Sequence, residues 1–216
     1  MSSKLRLLGS ACPTPISSVA VLALCGALSV VHADSLPVPC GGGTCGARPF
    51  TPSTNPSARG PTTVGKELTV WQVDQRQIFN WQSFDIDPSY SVVFDQKDAS
   101  YSALNRIWNA DHSRIAGALT GKGQVLLINQ NGIIFGAGAQ VNVGSLVATP
   151  LNIDDENFLN PRYFQTLDYL SNPAFQGTSG YIRVEKGATL TTSKGGSIWL
   201  FAPSVENKGT IQTEEG

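Results

Sequence analysis

The chain of 216 residues is predicted to be all-β, a parallel β-solenoid, and three observations predict it. Short runs of β-branched and aromatic residues are broken repeatedly by Gly and Asn. Related segments recur at intervals near 20 residues, the spacing of coils that stack because none can bury its own inner face. Charged residues make up 14% of the chain, against about 25% in an average soluble domain, while 41% hydrophobic residues suffice for a core. A β-sandwich would also satisfy the alternation taken alone.

Lys4 and Arg6 precede an uncharged run from Ile16 to Val31, and Val31-His32-Ala33 sets small or apolar residues ahead of a cleavage after Ala33. That is the layout of a secretory signal peptide over residues 1–33. The run is short for a membrane anchor, which needs about 20 residues, and Leu24 is too large for a lipoprotein cleavage box before Cys25. Removal of Lys4 and Arg6 leaves 13 basic residues against 16 acidic ones, a net charge of −3. Nucleic acid is excluded as a partner, since no basic excess exists to displace counterions from phosphates.

Residues 34–63 hold Pro37, Pro39, Pro49, Pro52, Pro56 and Pro61 with few large apolar residues. Such a segment offers little to offset its chain entropy, so a disordered linker is expected, with folding from Val64. Cys40 and Cys45 lie within it and can close a small disulfide loop in an oxidising compartment. A lone CxxxxC with no His nearby is a poor metal site, and none is expected.

Strands are expected at Glu67–Trp71, Gln77–Asn80, Ser91–Phe94, Gln124–Ile128, Ile133–Phe135, Ala139–Val143, Tyr181–Glu185, Ala188–Thr191, Ser197–Phe201 and Gly209–Thr213. Ala139, Val141 and Val143 alternate with Gln140 and Asn142, and Ile182 and Val184 alternate with Tyr181, Arg183 and Glu185. That period of two gives one buried and one wet face. Gly138-Ala139-Gln140-Val141 resembles Gly187-Ala188-Thr189-Leu190, and Lys186-Gly187 returns as Lys208-Gly209. The 153 residues from Val64 make roughly seven coils at this period. Asp154 to Tyr169 breaks the pattern, with acids first and then Phe158, Leu159, Tyr163, Phe164 and Leu167. It reads as a short helix, interrupted at Pro161, packed on the side of the solenoid, or as a plain loop.

Catalysis finds little support. Asp85 and Asp87 would share a strand face, and Asp154-Asp155-Glu156 cluster, so the catalytic alternative is paired-carboxylate chemistry, as in a β-helix polysaccharide lyase or hydrolase. Asp-x-Asp near a turn is usually a solvated edge, and consecutive acids usually start a helix. His112 is the only histidine beyond residue 33, so a His-based triad is not expected. No phosphate-binding glycine loop or calcium nonapeptide is present, so no catalytic residue and no cofactor is assigned.

Residues 67–165 resemble the N-terminal secretion domain of two-partner secretion exoproteins, the haemagglutination-activity domain of filamentous haemagglutinins and high-molecular-weight adhesins. The segments that carry the resemblance are Phe79-Asn-Trp-Gln-Ser-Phe-Asp-Ile-Asp87, Ser102-Ala-Leu-Asn-Arg-Ile107, Ser113-Arg-Ile-Ala-Gly-Ala-Leu119 and the long run from Gly123 to Val143, followed by Leu146-Val-Ala-Thr and Leu151-Asn-Ile. The resemblance implies a right-handed parallel β-helix with short extra-helical elements over residues 64–216, as the front of a longer exoprotein. It implies passage through the Sec translocon, recognition by an outer-membrane β-barrel transporter with periplasmic POTRA repeats, and folding outside the cell. The location implied is secreted or cell-surface, by way of the periplasm.

The recognition and turn residues the resemblance implies are Asn129, Gln130, Asn131, Gly132 and Ile133, with Asn105 and Arg106. Read as residues alone, the first group is a tight turn, with Asn131-Gly132 tolerant of positive φ, and Asn105-Arg106 is a turn with a solvated Arg. Gln130 stands where the family usually has Pro, so the turn lacks a ring that pre-sets φ. Asn80, Trp81 and Phe84 read as packing residues. A surface adhesin module that binds host cells or glycans directly is the alternative function. The solenoid would end at Thr210–Thr213 in an open edge.

Overall fold

The computed structural model describes residues 35–160 and 175–215. The expected signal peptide lies outside the described residues, as do Tyr163, Phe164, Leu167 and Tyr169. In chain order the strands are β1 (Val38–Pro39), β2 (Thr44–Ala47), β3 (Thr62–Val64), β4 (Glu67–Trp71), β5 (Arg76–Ser83), β6 (Ser91–Asp95) and β7 (Ser102–Ile107). They continue as β8 (Ser113–Ile115), β9 (Ala118–Gly121), β10 (Gln124–Ile128), β11 (Ile133–Phe135), β12 (Gln140–Val143), β13 (Ser145–Thr149) and β14 (Asn152–Ile153). After helix α1 (Asp155–Leu159) come β15 (Phe175–Gln176), β16 (Tyr181–Val184), β17 (Thr189–Thr192), β18 (Ile198–Leu200), β19 (Ser204–Asn207) and β20 (Thr210–Gln212).

Three sheets form the faces of a β-solenoid. Face 1 runs β1-β5-β7-β10-β13-β18, face 2 runs β8-β11-β16-β19, and face 3 runs β3-β4-β6-β9-β12-β17-β20. Successive turns pair in parallel: Gln124 lies beside Ser102 on one side and Ser145 on the other, spacings of 22 and 21 residues. The internal repeat lies in register, with Gln140 beside Thr189 and Val141 beside Leu190. The Lys-Gly echo is displaced by one residue, because Thr189 pairs with Thr210.

Six parallel strands on face 3 count six turns, one fewer than the roughly seven expected from the repeat length. The missing turn is spent on an excursion between β13 and β16, where β14, α1 and β15 leave the coil path. Gly123, Gly144 and Gly196 stack at the corner leading into face 1. A Cβ on any of them would collide with a carbonyl oxygen close by, that of Tyr101, Lys122 or Gly144 respectively.

Inside the coils, Leu68, Val92, Phe94, Leu119, Val141 and Leu190 from face 3 meet Phe79, Trp81, Val125, Leu127 and Leu146 from face 1 and Ile115, Ile133, Phe135 and Val184 from face 2. Face 1 is buried on its outer side as well. Ile78, Leu104, Leu126, Ile128 and Val147 pack there under Ile153 and Phe158 of the excursion, with Phe175 and Phe201 alongside. This explains why β7 and β13 were missed as strands: a strand buried on both faces loses the alternation that marks it. Burial of Phe158, 3% exposed, contributes about 1.5–3 kcal/mol. The predicted helix is realised only as α1 within the described residues, with Asp154 at its N-cap position but no capping hydrogen bond from the Asp154 side chain.

The expectation of a disordered linker does not hold for residues 35–63. They form a cap over the first turn. β1 pairs antiparallel with β5 at the free edge of face 1, and β3 pairs antiparallel with β4 at the edge of face 3. Near face 2, Ser35 N–H donates to Asp87 Oδ2 at 2.8 Å, and Asp87 N–H donates back to Ser35 O at 3.2 Å. Phe50 lies 5.4 Å from the Phe79 ring and 4.9 Å from the Trp81 ring. The segment has no core of its own, which is what its composition reports. It buries its few apolar groups against the open end of the solenoid and covers strand edges that otherwise invite pairing. Among the described residues no helix is long and apolar enough to cross a membrane.

Candidate functional site

Asn129 to Gly132 is the tight turn joining face 1 to face 2. Gly132 N–H donates to Asn129 O at 2.9 Å, which closes it, and Asn131 N–H donates to Asn129 Oδ1 at 2.9 Å. This second bond pre-organises the turn in place of a Pro ring at Gln130, because an Asn side chain that caps its own chain two residues on mimics a backbone turn. Asn129 is fully buried, and its Nδ2 donates to Asp111 O and Ser113 Oγ in the turn below, both at 3.0 Å. Its N–H reaches Thr149 O in the turn above at 3.2 Å.

Positive φ is confined to Gly132, at 112°, and Asn131 is not a left-handed residue. The expectation that Asn131 serves by tolerating positive φ is therefore corrected. Its side chain instead donates from Nδ2 to Asn109 O at 2.9 Å, one turn below. A Cβ at Gly132 would meet the Tyr181 ring at 2.9 Å. Ile133 opens β11 and is fully buried in the core.

Asn105 and Arg106 are on strand β7, not in a turn, and both are buried. Asn105 points into the coil, where Oδ1 accepts from Trp81 Nε1 at 2.9 Å and Nδ2 donates to Leu126 O at 3.1 Å and Ala103 O at 3.3 Å. Arg106 points outward but is no solvated side chain, being 7% exposed. Its guanidinium donates to Asn152 Oδ1 at 2.9 Å, to Asp155 Oδ1 at 2.6 Å and to Ile153 O. It fastens the excursion to face 1.

The two groups meet. Arg106, Trp108, Asn109, Gln130, Asn131 and Asn152 line one small cavity of about 50 Å³ at the end of face 1. Arg106 and Trp108 also line a cleft of about 370 Å³ that continues to Arg48 and Asn80, between the cap and the excursion. Trp108 Nε1 donates to Asn80 Oδ1 at 2.9 Å, and the Arg48 guanidinium lies 3.8 Å over the Trp108 ring. Sequence reasoning missed Trp108, Asn109 and Asn152. The register offered a signal for the grouping, since Ile128, Arg106 and Asn80 stand side by side on three neighbouring strands. Trp81 and Phe84 pack in the core as expected.

The carboxylates hold structure together. Asp85 Oδ1 accepts from Arg114 N–H at 2.7 Å. Burial pushes its carboxyl above the usual range, and that N–H opposes the shift. Asp87 receives the cap at Ser35, and Asp154 to Glu156 begin α1. Among the described residues no three of His, Cys, Asp and Glu gather as a metal cluster. Cys40 and Cys45 are joined by a disulfide, and the two residues are 4% and 6% exposed.

The family model of the TPS secretion domain matches residues 51–215. The chain belongs to the TPS secretion domain family. The match begins inside the cap, so the TPS domain includes part of the segment expected to be a linker. The crystal structure of the HMW1 secretion domain from Haemophilus influenzae superposes with a TM-score of 0.62 at 28% identity, covering 71% of this chain and 39% of that one. A heme/hemopexin-binding protein of Haemophilus influenzae strain Rd is 39% identical over 93 residues, 43% of this chain. A second heme/hemopexin-binding protein of Haemophilus influenzae is 33% identical over 119 residues, 53% of this chain. The matched stretches span 10% and 13% of those relatives. TPS domains are a non-enzymatic kind of domain, found in exoproteins that leave through the outer membrane with a partner transporter.

Proposed function

We propose that this TPS domain directs an adhesin- or haemagglutinin-like exoprotein to its outer-membrane β-barrel transporter and nucleates β-helix folding outside the cell. The chain reaches the periplasm through the Sec translocon on residues 1–33. The POTRA repeats of the transporter then hold it in extended form, by strand addition to a sheet edge. Export needs no nucleotide, since folding outside is downhill and the parallel coils stack one on the next. The domain itself acts without catalysis or cofactor.

The observation that carries this reading is the family match over residues 51–215, three quarters of the chain. Asn129 to Ile133 with Asn105 and Arg106 are the residues we assign to the transporter step. Arg106, Gln130 and Asn131 line one cavity and Asn129 and Gly132 build the turn beside it, which supports treating these five as one unit, while Asn105 and Ile133 pack inside the coil behind them. Heme or hemopexin binding is a property named for the relatives, and a match to about a tenth of their length does not bring it here.

The test is expression with and without the cognate barrel protein, followed by assay of the medium. Export is expected only with the barrel. Equal amounts outside in both cases would overturn the proposal.

A further inference from the structure

We propose that the Cys40–Cys45 disulfide is a redox latch that holds the N-terminal cap on β5. Asn80 lies in the middle of that strand. Cys40 N–H donates to Asn80 O at 3.0 Å, and Asn80 N–H donates to Phe50 O at 2.6 Å. Asn80 Nδ2 donates to Pro49 O at 3.0 Å. Cys40 precedes the disulfide loop while Pro49 and Phe50 follow it. One residue of β5 therefore grips both arms of the loop, and the disulfide fixes the distance between the arms.

Apart from its two buried cysteines the ring packs little: it contains Gly41, Gly42 and Gly43, where an added Cβ would meet nothing within 4 Å, and Gly42 and Gly43 have positive φ. Such a segment is free when undocked and loses much entropy on seating. Closing a six-residue ring removes part of that freedom beforehand, a gain of roughly 40-fold in the docking equilibrium. Arg48 completes the seat, donating to Cys45 O at 3.2 Å and stacking on Trp108. Opening the latch frees the β5 edge that β1 covers, an edge to which another strand can add.

The chemistry is thiol–disulfide exchange. On closing, two thiols give two electrons and two protons to an oxidant of the disulfide-oxidoreductase class, whose own disulfide becomes a dithiol. On opening, a thiolate of a dithiol reductant attacks one sulfur, and its second thiol resolves the mixed disulfide. The products are two Cys thiols and the oxidised reductant. Both cysteines are under a tenth exposed, so exchange waits on undocking of the cap.

Hydrogen exchange of the purified full chain, with and without dithiothreitol, tests the latch. The Asn80 amide is bonded to Phe50 O across the seat, whereas the β3–β4 pair lies beyond it and the Gln124 amide lies within the solenoid. Reduction is expected to speed exchange of the Asn80 amide by roughly 40-fold while exchange in the β3–β4 pair and at Gln124 stays unchanged. The double variant Cys40→Ser, Cys45→Ser is expected to match the reduced wild type without reductant. Equal exchange at Asn80 in both redox states overturns the latch, and so does a parallel rise in the β3–β4 pair and at Gln124. Asn80→Ala is expected to speed trapping of the reduced thiols by alkylation, and an unchanged rate removes Asn80 as the anchor.

Discussion

Arg106 and Asp155 sit 49 residues apart in the chain and meet at 2.6 Å, the buried guanidinium of β7 pairing with the half-exposed carboxylate that opens α1. This contact is one of three by which Arg106 fastens the excursion. Asn152 and Ile153 are held by the same guanidinium, so α1 is brought over the outer side of face 1 and Phe158 covers Leu104 and Leu126.

Arg106→Met is therefore expected to cost about 2–3 kcal/mol, from the loss of three charge-assisted bonds and the orphaning of Ile153 O. Asp155→Asn is expected to cost under about 1 kcal/mol, since its carboxylate faces solvent on one side. Thermal melting of both variants checks the ratio. Equal losses would mean that the ion pair alone fixes the excursion.

Asn105→Leu tests the buried amide inside the coil. Asn105 sits among apolar side chains because it serves Trp81 Nε1 and Leu126 O at once. Leu fills the space and leaves both unpaired, for an expected loss of about 2–3 kcal/mol. Secretion is expected to fall in step with the melting temperature. Lost secretion with unchanged melting would instead make Asn105 a direct contact of the transporter.

The acid limb of stability has opposing contributors. The hydrogen bond from Arg114, and after it that from Ala137 N–H, holds the Glu185 carboxyl below its ordinary value. A depressed folded value gives stability that is present above the unfolded value and lost as pH falls through the folded one. Asp85 runs the other way. Its folded value is raised by burial, so its contribution is full below the unfolded value and lost as pH rises through the folded one. Glu185→Gln is expected to flatten the loss of melting temperature on acidification below pH 5. Asp85→Asn is expected to steepen it while raising or preserving stability at pH 7. Parallel pH profiles for the two variants would contradict these assignments.

The solenoid was legible where a strand carries a plain alternation over four residues or more. β12 and β16 show the alternation plainly, with Val141, Val143, Ile182 and Val184 buried between exposed neighbours. Legibility failed where burial is two-sided or borrowed. Ser102–Ile107 hides a strand because Asn105 is satisfied inside the coil and Arg106 outside it. The cap hid because its partners are on β4, β5 and the Asp87 corner, which no local composition reports. In the candidate site the turn at Asn129 was readable from Asn-Gly. The meeting of Arg106 with Gln130 and Asn131 depends on a register of 22 residues between β7 and β10.

The turn separates architecture from recognition. Gln130 occupies the second position of a turn closed by Gly132 N–H, where a Pro is accommodated. Gln130→Pro is expected to be neutral or to stabilise by about 0.4–1 kcal/mol, through a less free unfolded chain. Gly132→Val is expected to destabilise by more than that, because φ is 112° and the new Cβ meets Tyr181 at 2.9 Å. Asn131→Ala removes the exposed bond to Asn109 O and a longer one to Asn129 Oδ1, a loss of about 0.5–1.5 kcal/mol. Melting curves and secretion assays are read side by side for all three. A secretion defect in Asn131→Ala larger than its small loss of stability explains marks the side chain as read by the transporter. Secretion that tracks melting across the three leaves the segment as a turn and nothing more. If Gly132→Val leaves both unchanged, the close approach of Tyr181 does not limit this corner, and the assignment of the turn fails.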